Sequence, residues 1–155
     1  MTDLAIPFFG DKSHISIDRK FRLIRKWKAT DAAVGDGLRL RKGLLDRSNT
    51  ALDVWTDTAY QSKANEAFME KQGFVSKVHR KKPHLKPIPR HIQRSNAGKS
   101  VIRSHVEPLF ADQKSQIGLF VRRVGITLAI MRVGLANIVY NMRRVIFLRR
   151  ISATM

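Results

Sequence analysis

The stretch Leu52-Asp53-Val54-Trp55-Thr56-Asp57 is a short β-branched and aromatic run that gives way to Thr58-Ala59-Tyr60. Such a run reads as a strand closing at Asp57. Open α/β sheets bind ligands beyond the carboxyl ends of their strands. A carboxylate there suits a hard cation such as Mg²⁺, which prefers oxygen ligands. The same residue type equally suits a helix N-cap or an aspartate turn.

Working outward from this strand, Ser62 has the position of an N-cap. The helix it opens carries Ala64, Ala67 and Phe68 on one side, and Gly73 ends it as a C′ glycine. Residues 74–79 form the next strand candidate. Upstream, His14-Ile15-Ser16-Ile17 and Leu23-Ile24-Arg25-Lys26-Trp27 read as two strands joined through Asp18-Arg19-Lys20. Residues 30–37 read as a loop, followed by a short helix ending near Leu45. Strands alternating with helices predict an α/β domain. At 155 residues the chain has room for one domain with a modest core.

The charge narrows the function. Thirty Lys and Arg against twelve Asp and Glu give +18. An excess of that size repels itself in the folded state unless polyanions neutralise it. Between Glu70 and Glu107 there is no acidic residue. Arg80, Lys81, Lys82 and Lys99 fall in that interval, and Pro83, Pro87 and Pro89 hold part of it out of helix. Residues 80–98 are therefore expected to be a basic, extended insertion that binds phosphate by counterion release. Trp27, Trp55 and Phe110 do not interleave with it, so base stacking is not indicated. There is no cysteine, which excludes disulfides and thiolate metal sites.

The start of the chain lacks the basic and apolar regions of a signal peptide. The tail is its greasiest part. Its longest uncharged run, residues 133–142, is half the roughly 20 residues a membrane span needs. Residues 126–150 read instead as a long amphipathic helix. Ile130, Leu135, Ile138, Val139, Met142, Val145 and Ile146 recur at helical spacing, with Arg132 and Arg143 on another face. No membrane partner is expected.

Glu107 is the one acid in the long basic stretch. Arg103, Glu107 and Lys114 fall within about 40° of one another on a continuous helix. That pattern suits a metal-binding glutamate flanked by phosphate-gripping cations, and also an ordinary ion pair. Other motifs fail. Ala97-Gly98-Lys99-Ser100 lacks the earlier glycine of a P-loop, because Gln93 stands there. His79, His84 and His91 have no acid or thiol beside them for a zinc site.

Taken in order, these segments resemble the DDE transposases of bacterial insertion sequences, in the group of families four and five. Phe9-Gly10-Asp11-Lys12-Ser13-His14-Ile15 is similar to the family's Phe-Gly-Tyr-Lys-Asn-His-Ile block. Thr30-Asp31-Ala32-Ala33 with Asp36 resembles the next block. Asp53-Val54-Trp55-Thr56-Asp57-Thr58-Ala59-Tyr60 resembles the block that carries the second catalytic aspartate. Gly73-Phe74-Val75-Ser76 and His79-Arg80-Lys81 follow in order. Arg103, Glu107 and Lys114 fit arginine, three residues, glutamate, six residues, lysine. Gly134-Leu135-Ala136-Asn137 and Tyr140-Asn141-Met142-Arg143-Arg144 resemble the closing helix.

The resemblance covers nearly the whole chain. It implies an RNase H-like mixed sheet flanked by helices, in a single partial catalytic domain over residues 1–155. It implies Mg²⁺, with Mn²⁺ as a substitute, held by Asp57 and Glu107 for in-line attack on DNA phosphodiesters. Tyr60, Arg103 and Lys114 then contact DNA or position the site. The partners implied are the element's ends and a target DNA, with a homodimer or pairing to an intact transposase, in the bacterial cytoplasm at the nucleoid.

The chain departs from the pattern in four places. The first aspartate belongs on a strand upstream of Phe9, between the strands of His14 and Asp57, so the expectation is a domain truncated before its central strand and inactive alone. Asp11 stands for a tyrosine, as does Ser100. Pro108 follows Glu107, which requires Glu107 to sit in a helix's first turn. The alternative expectation is a non-catalytic, basic DNA-binding remnant.

Overall fold

The computed structural model describes residues 11–31, 33–48, 52–116 and 125–154. The described chain is α/β, with two small sheets, packed helices and one long C-terminal helix. Residues 1–10, which include Phe9 and Gly10 of the first block, lie outside the described residues, as do Ala32 and residues 117–124 of the tail.

Strands β1 (Asp11–Ile17) and β2 (Ile24–Asp31) pair antiparallel, from Asp11 opposite Asp31 to Ile17 opposite Ile24, with an irregularity at Ser16/Ile17. Asp18 organises the turn between them. Its carboxylate accepts from the N–H groups of Phe21 (2.7 Å) and Leu23 (3.2 Å), while Arg22 takes the left-handed region at φ 58°. β2 runs on through Thr30 and Asp31, further than the sequence suggests. A helical turn follows as α1 (Gly37–Arg39), widening over Leu40–Leu44 and closing near Leu45 as expected.

β3 (Asp53–Val54) pairs parallel with β4 (Val75–Ser76). Their backbone ladder extends beyond those cores. Val75, Lys77 and His79 donate to the carbonyls of Leu52, Val54 and Thr56. The connection is α2 (Lys63–Gln72), with the predicted ends. Ser62 Oγ accepts from Asn65 N–H at 3.1 Å, and Gly73 closes the helix at φ 79°. The face it buries differs from the expected one. Met69 and Asn65 point inward, and Ala64 and Ala67 are exposed. Met69 joins Leu40, Val54, Phe74 and Val78 in the main core, with Leu45 and Tyr60 against it. Asn65 is tolerated there because its amide donates to the carbonyls of Gly37 (2.8 Å) and Tyr60 (2.7 Å).

The basic insertion is corrected in extent. It is irregular only as far as Pro89. Residues 90–98 belong to α3 (Arg90–Arg103), whose N-terminus Pro89 precedes. The prolines exclude helix only up to their own positions, and nothing after Pro89 breaks one. Ser104–Val106 tightens into a 3₁₀ turn, and α4 (Glu107–Ser115) begins at Glu107 with Pro108 in its first turn. Glu107 thus meets the requirement that Pro108 imposes, but the single helix expected to carry Arg103, Glu107 and Lys114 is two.

α5 (Gly125–Thr154) packs on β2 and α4. Its buried side is made of small and polar residues: Ala129, Val133, Gly134, Ala136 and Asn137. A Cβ on Gly134 would lie 3.0 Å from the Trp27 ring, so glycine permits this approach. Asn141 acts like a strand partner, bonding both N–H (2.8 Å) and C=O (3.0 Å) of Ile24. Tyr140 O–H donates to the Arg22 carbonyl and Arg144 Nε to that of Phe21. Gln113 of α4 donates to Asn137 at 2.7 Å in a buried pair. By length and composition alone α5 is long and apolar enough to cross a membrane, a test that core helices of soluble proteins also pass. The apolar residues whose helical spacing marks the tail as amphipathic, Leu135, Ile138 and Met142 among them, are exposed.

Candidate functional site

A cleft of about 1000 Å³ separates the two sheets. Successive residues of β1 and its turn, from Lys12 to Phe21, border one side. Leu52 to Asp57 border the other, and Arg103, His105 and Phe110 complete the wall. Among the described residues no strand joins β1 to β3 across it. In a parallel ladder, successive residues direct their backbone groups to opposite neighbours. The β3 carbonyls bonded to β4 are those of Leu52, Val54 and Thr56. The backbone groups of Asp53 and Trp55 therefore face away from β4.

Asp57 follows the strand and lines the cleft, as expected. Its carboxylate accepts from Ala59 N–H at 2.9 Å and caps the short helical turn Thr58–Tyr60. Tyr60 is half-buried against the core. Burial first, then the negative charges of Asp36 and Asp57, push its phenol up to about 12, so it stays a neutral donor. Its O–H lies 3.3 Å from His14 Nδ1, and His14 Nε2 lies 2.9 Å from Thr30 Oγ1. Burial lowers the His14 pKa, with Asp36 opposing. A neutral ring has one donor and one acceptor nitrogen, which matches Tyr60 donating to Nδ1 and Nε2–H donating to Thr30. Lys12 pairs with Asp36 at 3.2 Å beside them. This polar network ties the hairpin to the turn after β3. The sequence reading missed it, because its central contact joins residues 46 apart.

Arg103 also reaches the cleft wall. Its Nε is buried without a partner, as are His105 Nδ1 and Thr56 Oγ1. His79 packs close by. Burial lowers its pKa, Arg103 and Lys99 lower it further, and Asp57 pulls the other way. Lys99 donates to the Val78 carbonyl at 2.8 Å, and burial, Arg80 and Lys77 lower its pKa. Lys99 is thus a tether between α3 and the end of β4, rather than a cation held out to solvent.

Glu107 does not join this group. Its carboxylate is 62% exposed, outside the cleft lining, and sits 3.5 Å from Arg103 as an i,i+4 pair. Lys114 is exposed on α4, also outside the cleft. The described residues hold no group of three or more His, Asp or Glu side chains that could bind a metal ion. With Asp57 engaged as a cap and Glu107 paired at the surface, the arrangement does not fit a preformed Mg²⁺ site.

The basic segment packs against α3 at Arg80. Arg80, Lys81, Lys82, Lys86, Arg90 and Arg94 are all exposed. Its path is fixed at both ends of the 80–81 step. Asn96 bonds the N–H (3.1 Å) and C=O (3.0 Å) of Arg80, and Gln61 accepts from Lys81 N–H at 2.5 Å. On α3, Arg90 and Arg94 share one face, roughly opposite Lys99 and Arg103. No family model, curated protein or solved structure matches the chain.

Proposed function

We propose that this chain is a partial catalytic domain of a DDE-type transposase with an RNase H-like fold, and that it grips DNA without cutting it alone. The observation that carries the DNA reading is the acid-free basic segment, whose six cations from Arg80 to Arg94 stand in solvent. Phosphate neutralisation is the use that such a surface has. The transposase reading rests on the ordered blocks around Asp57 and Glu107. It puts the first aspartate on a strand between those of His14 and Asp57, and the cleft between β1 and β3 is consistent with that. Such a protein works in the bacterial cytoplasm, at the nucleoid.

Mg²⁺ or Mn²⁺ is the ion this family implies, with Asp57 and Glu107 as ligands. Their present positions, one as a turn cap and one paired at the surface, do not form its site. The test pairs two measurements on the full chain. A labelled duplex should bind with strong salt dependence, and binding should persist in Asp57→Ala and Glu107→Ala. Incubation with Mg²⁺ and supercoiled DNA should give no strand cleavage above buffer. Cleavage abolished by Asp57→Ala would sink the non-cutting reading, and salt-insensitive binding would sink the phosphate reading.

A further inference from the structure

We propose, resting on the reading of the basic segment as a phosphate-binding surface, that Leu85 is a wedge that enters between base pairs of duplex DNA from the minor groove and kinks it. Leu85 is 91% exposed, more than any other large apolar side chain among the described residues. It also takes the left-handed region at φ 58°, a conformation that glycine adopts freely and leucine does not. The chain thus bears a backbone cost at Leu85 and buries almost none of its side chain in return. Neither local geometry nor internal packing accounts for a leucine at this position.

The tip is held stiffly. At its start Asn96 bonds the backbone of Arg80, and Gln61 accepts from Lys81 N–H. At its end Gln93 donates to the Ile88 carbonyl at 2.7 Å. Pro83 and Pro87 fix the backbone on either side of Leu85. A side chain presented on such a loop loses little freedom on binding. The surroundings select duplex DNA. Lys81 and Lys82 precede the tip and Lys86 follows it, all exposed, with no acid between Glu70 and Glu107. Cations on both sides can hold the phosphates that border an opened base step while the apolar tip fills it. Leucine is among the aliphatic side chains that unstack base steps in this way, and no aromatic ring is needed. A single leucine buries too little in a bilayer to hold a protein there, whereas one side chain suffices for one base step.

The test mixes the full chain with a duplex that carries a fluorescent purine analogue beside a central TA step, the kind most easily kinked, and a dye at each end. The analogue should brighten as its step unstacks, and energy transfer between the dyes should report a kink of about 20–90°. Leu85→Ala should lose both signals and bind roughly 10-fold more weakly at fixed salt, with the salt slope unchanged because every cation remains. Leu85→Met keeps a long apolar side chain and should retain both signals. Leu85→Gly should lose them while its thermal transition holds or rises, since glycine suits this φ. Steeply salt-dependent binding with no distortion of the duplex, or the same distortion in Leu85→Ala, would overturn the wedge alone. No duplex binding at all would sink the phosphate reading together with it. Leu85-dependent uptake on phosphatidylserine vesicles, without duplex distortion, would also overturn it.

Discussion

Consider replacing Lys81, Lys82 and Lys86 together by glutamine. All three are exposed, in the irregular segment ahead of α3, and the one hydrogen bond described for them uses the Lys81 backbone. The fold should therefore be untouched. If the six exposed cations from Arg80 to Arg94 each neutralise one phosphate, the logarithm of affinity should fall with the logarithm of salt at a slope of about −5.4. Raising salt from about 50 to about 200 mM would then weaken binding roughly 2000-fold. Three contacts remain in the triple variant, so its slope should shrink to about −2.7 and the same salt step should cost only roughly 40-fold. Fluorescence anisotropy of a labelled duplex across a salt series measures both slopes. If the triple variant kept the parent slope, phosphate would be bound elsewhere, and the assignment of this segment would be wrong.

The docking of α5 gives a second prediction. Gly134→Leu would drive a side chain into the Trp27 ring, at an overpacking cost of about 1–3 kcal/mol, read as a lower Tm with altered tryptophan fluorescence. Ser62→Ala removes the bond to Asn65 N–H and should cost about 1 kcal/mol in urea unfolding; an unchanged midpoint would deny the cap its role. The fourth concerns pH. His14 and His79 both have folded pKa values below the ordinary histidine value of 6.5, so the unfolded chain takes up protons first. Their contribution is present above that value and is lost as pH falls through it towards the lowered folded values. Tm should drop between about pH 7 and 5, less steeply in His14→Gln, and a Tm that rose on acidification would contradict the burial of both rings.

Ser62, Gly73 and the hairpin around Asp18 were legible because each is set within a few residues. A hydroxyl reaches a backbone N–H three positions on, and a glycine accepts a left-handed φ. The start of α3 was misread because prolines were allowed to speak for the residues after them. Asp57 was read correctly to its place at a strand end, yet its cap to Ala59 was only one of the options the sequence left open.

What the sequence by itself determined is the charge, the period and the order of segments. The acid-free basic stretch and the apolar repeat of α5 follow from composition and spacing alone. Tertiary structure decided which side of each element meets the rest of the chain. Helical spacing marks the greasiest face of α5, but the hairpin docks on the face that lets backbones approach, where Gly134 admits the Trp27 ring and Asn141 completes the hydrogen bonds of Ile24. The same holds at the cleft. Asp57, Tyr60 and Arg103 reach it and Glu107 does not, because the chain tightens at Ser104–Val106 and starts a new helix under Pro108. Periodicity assigns a direction only within one unbroken element, and packing free energy chooses between faces that the pattern leaves equivalent.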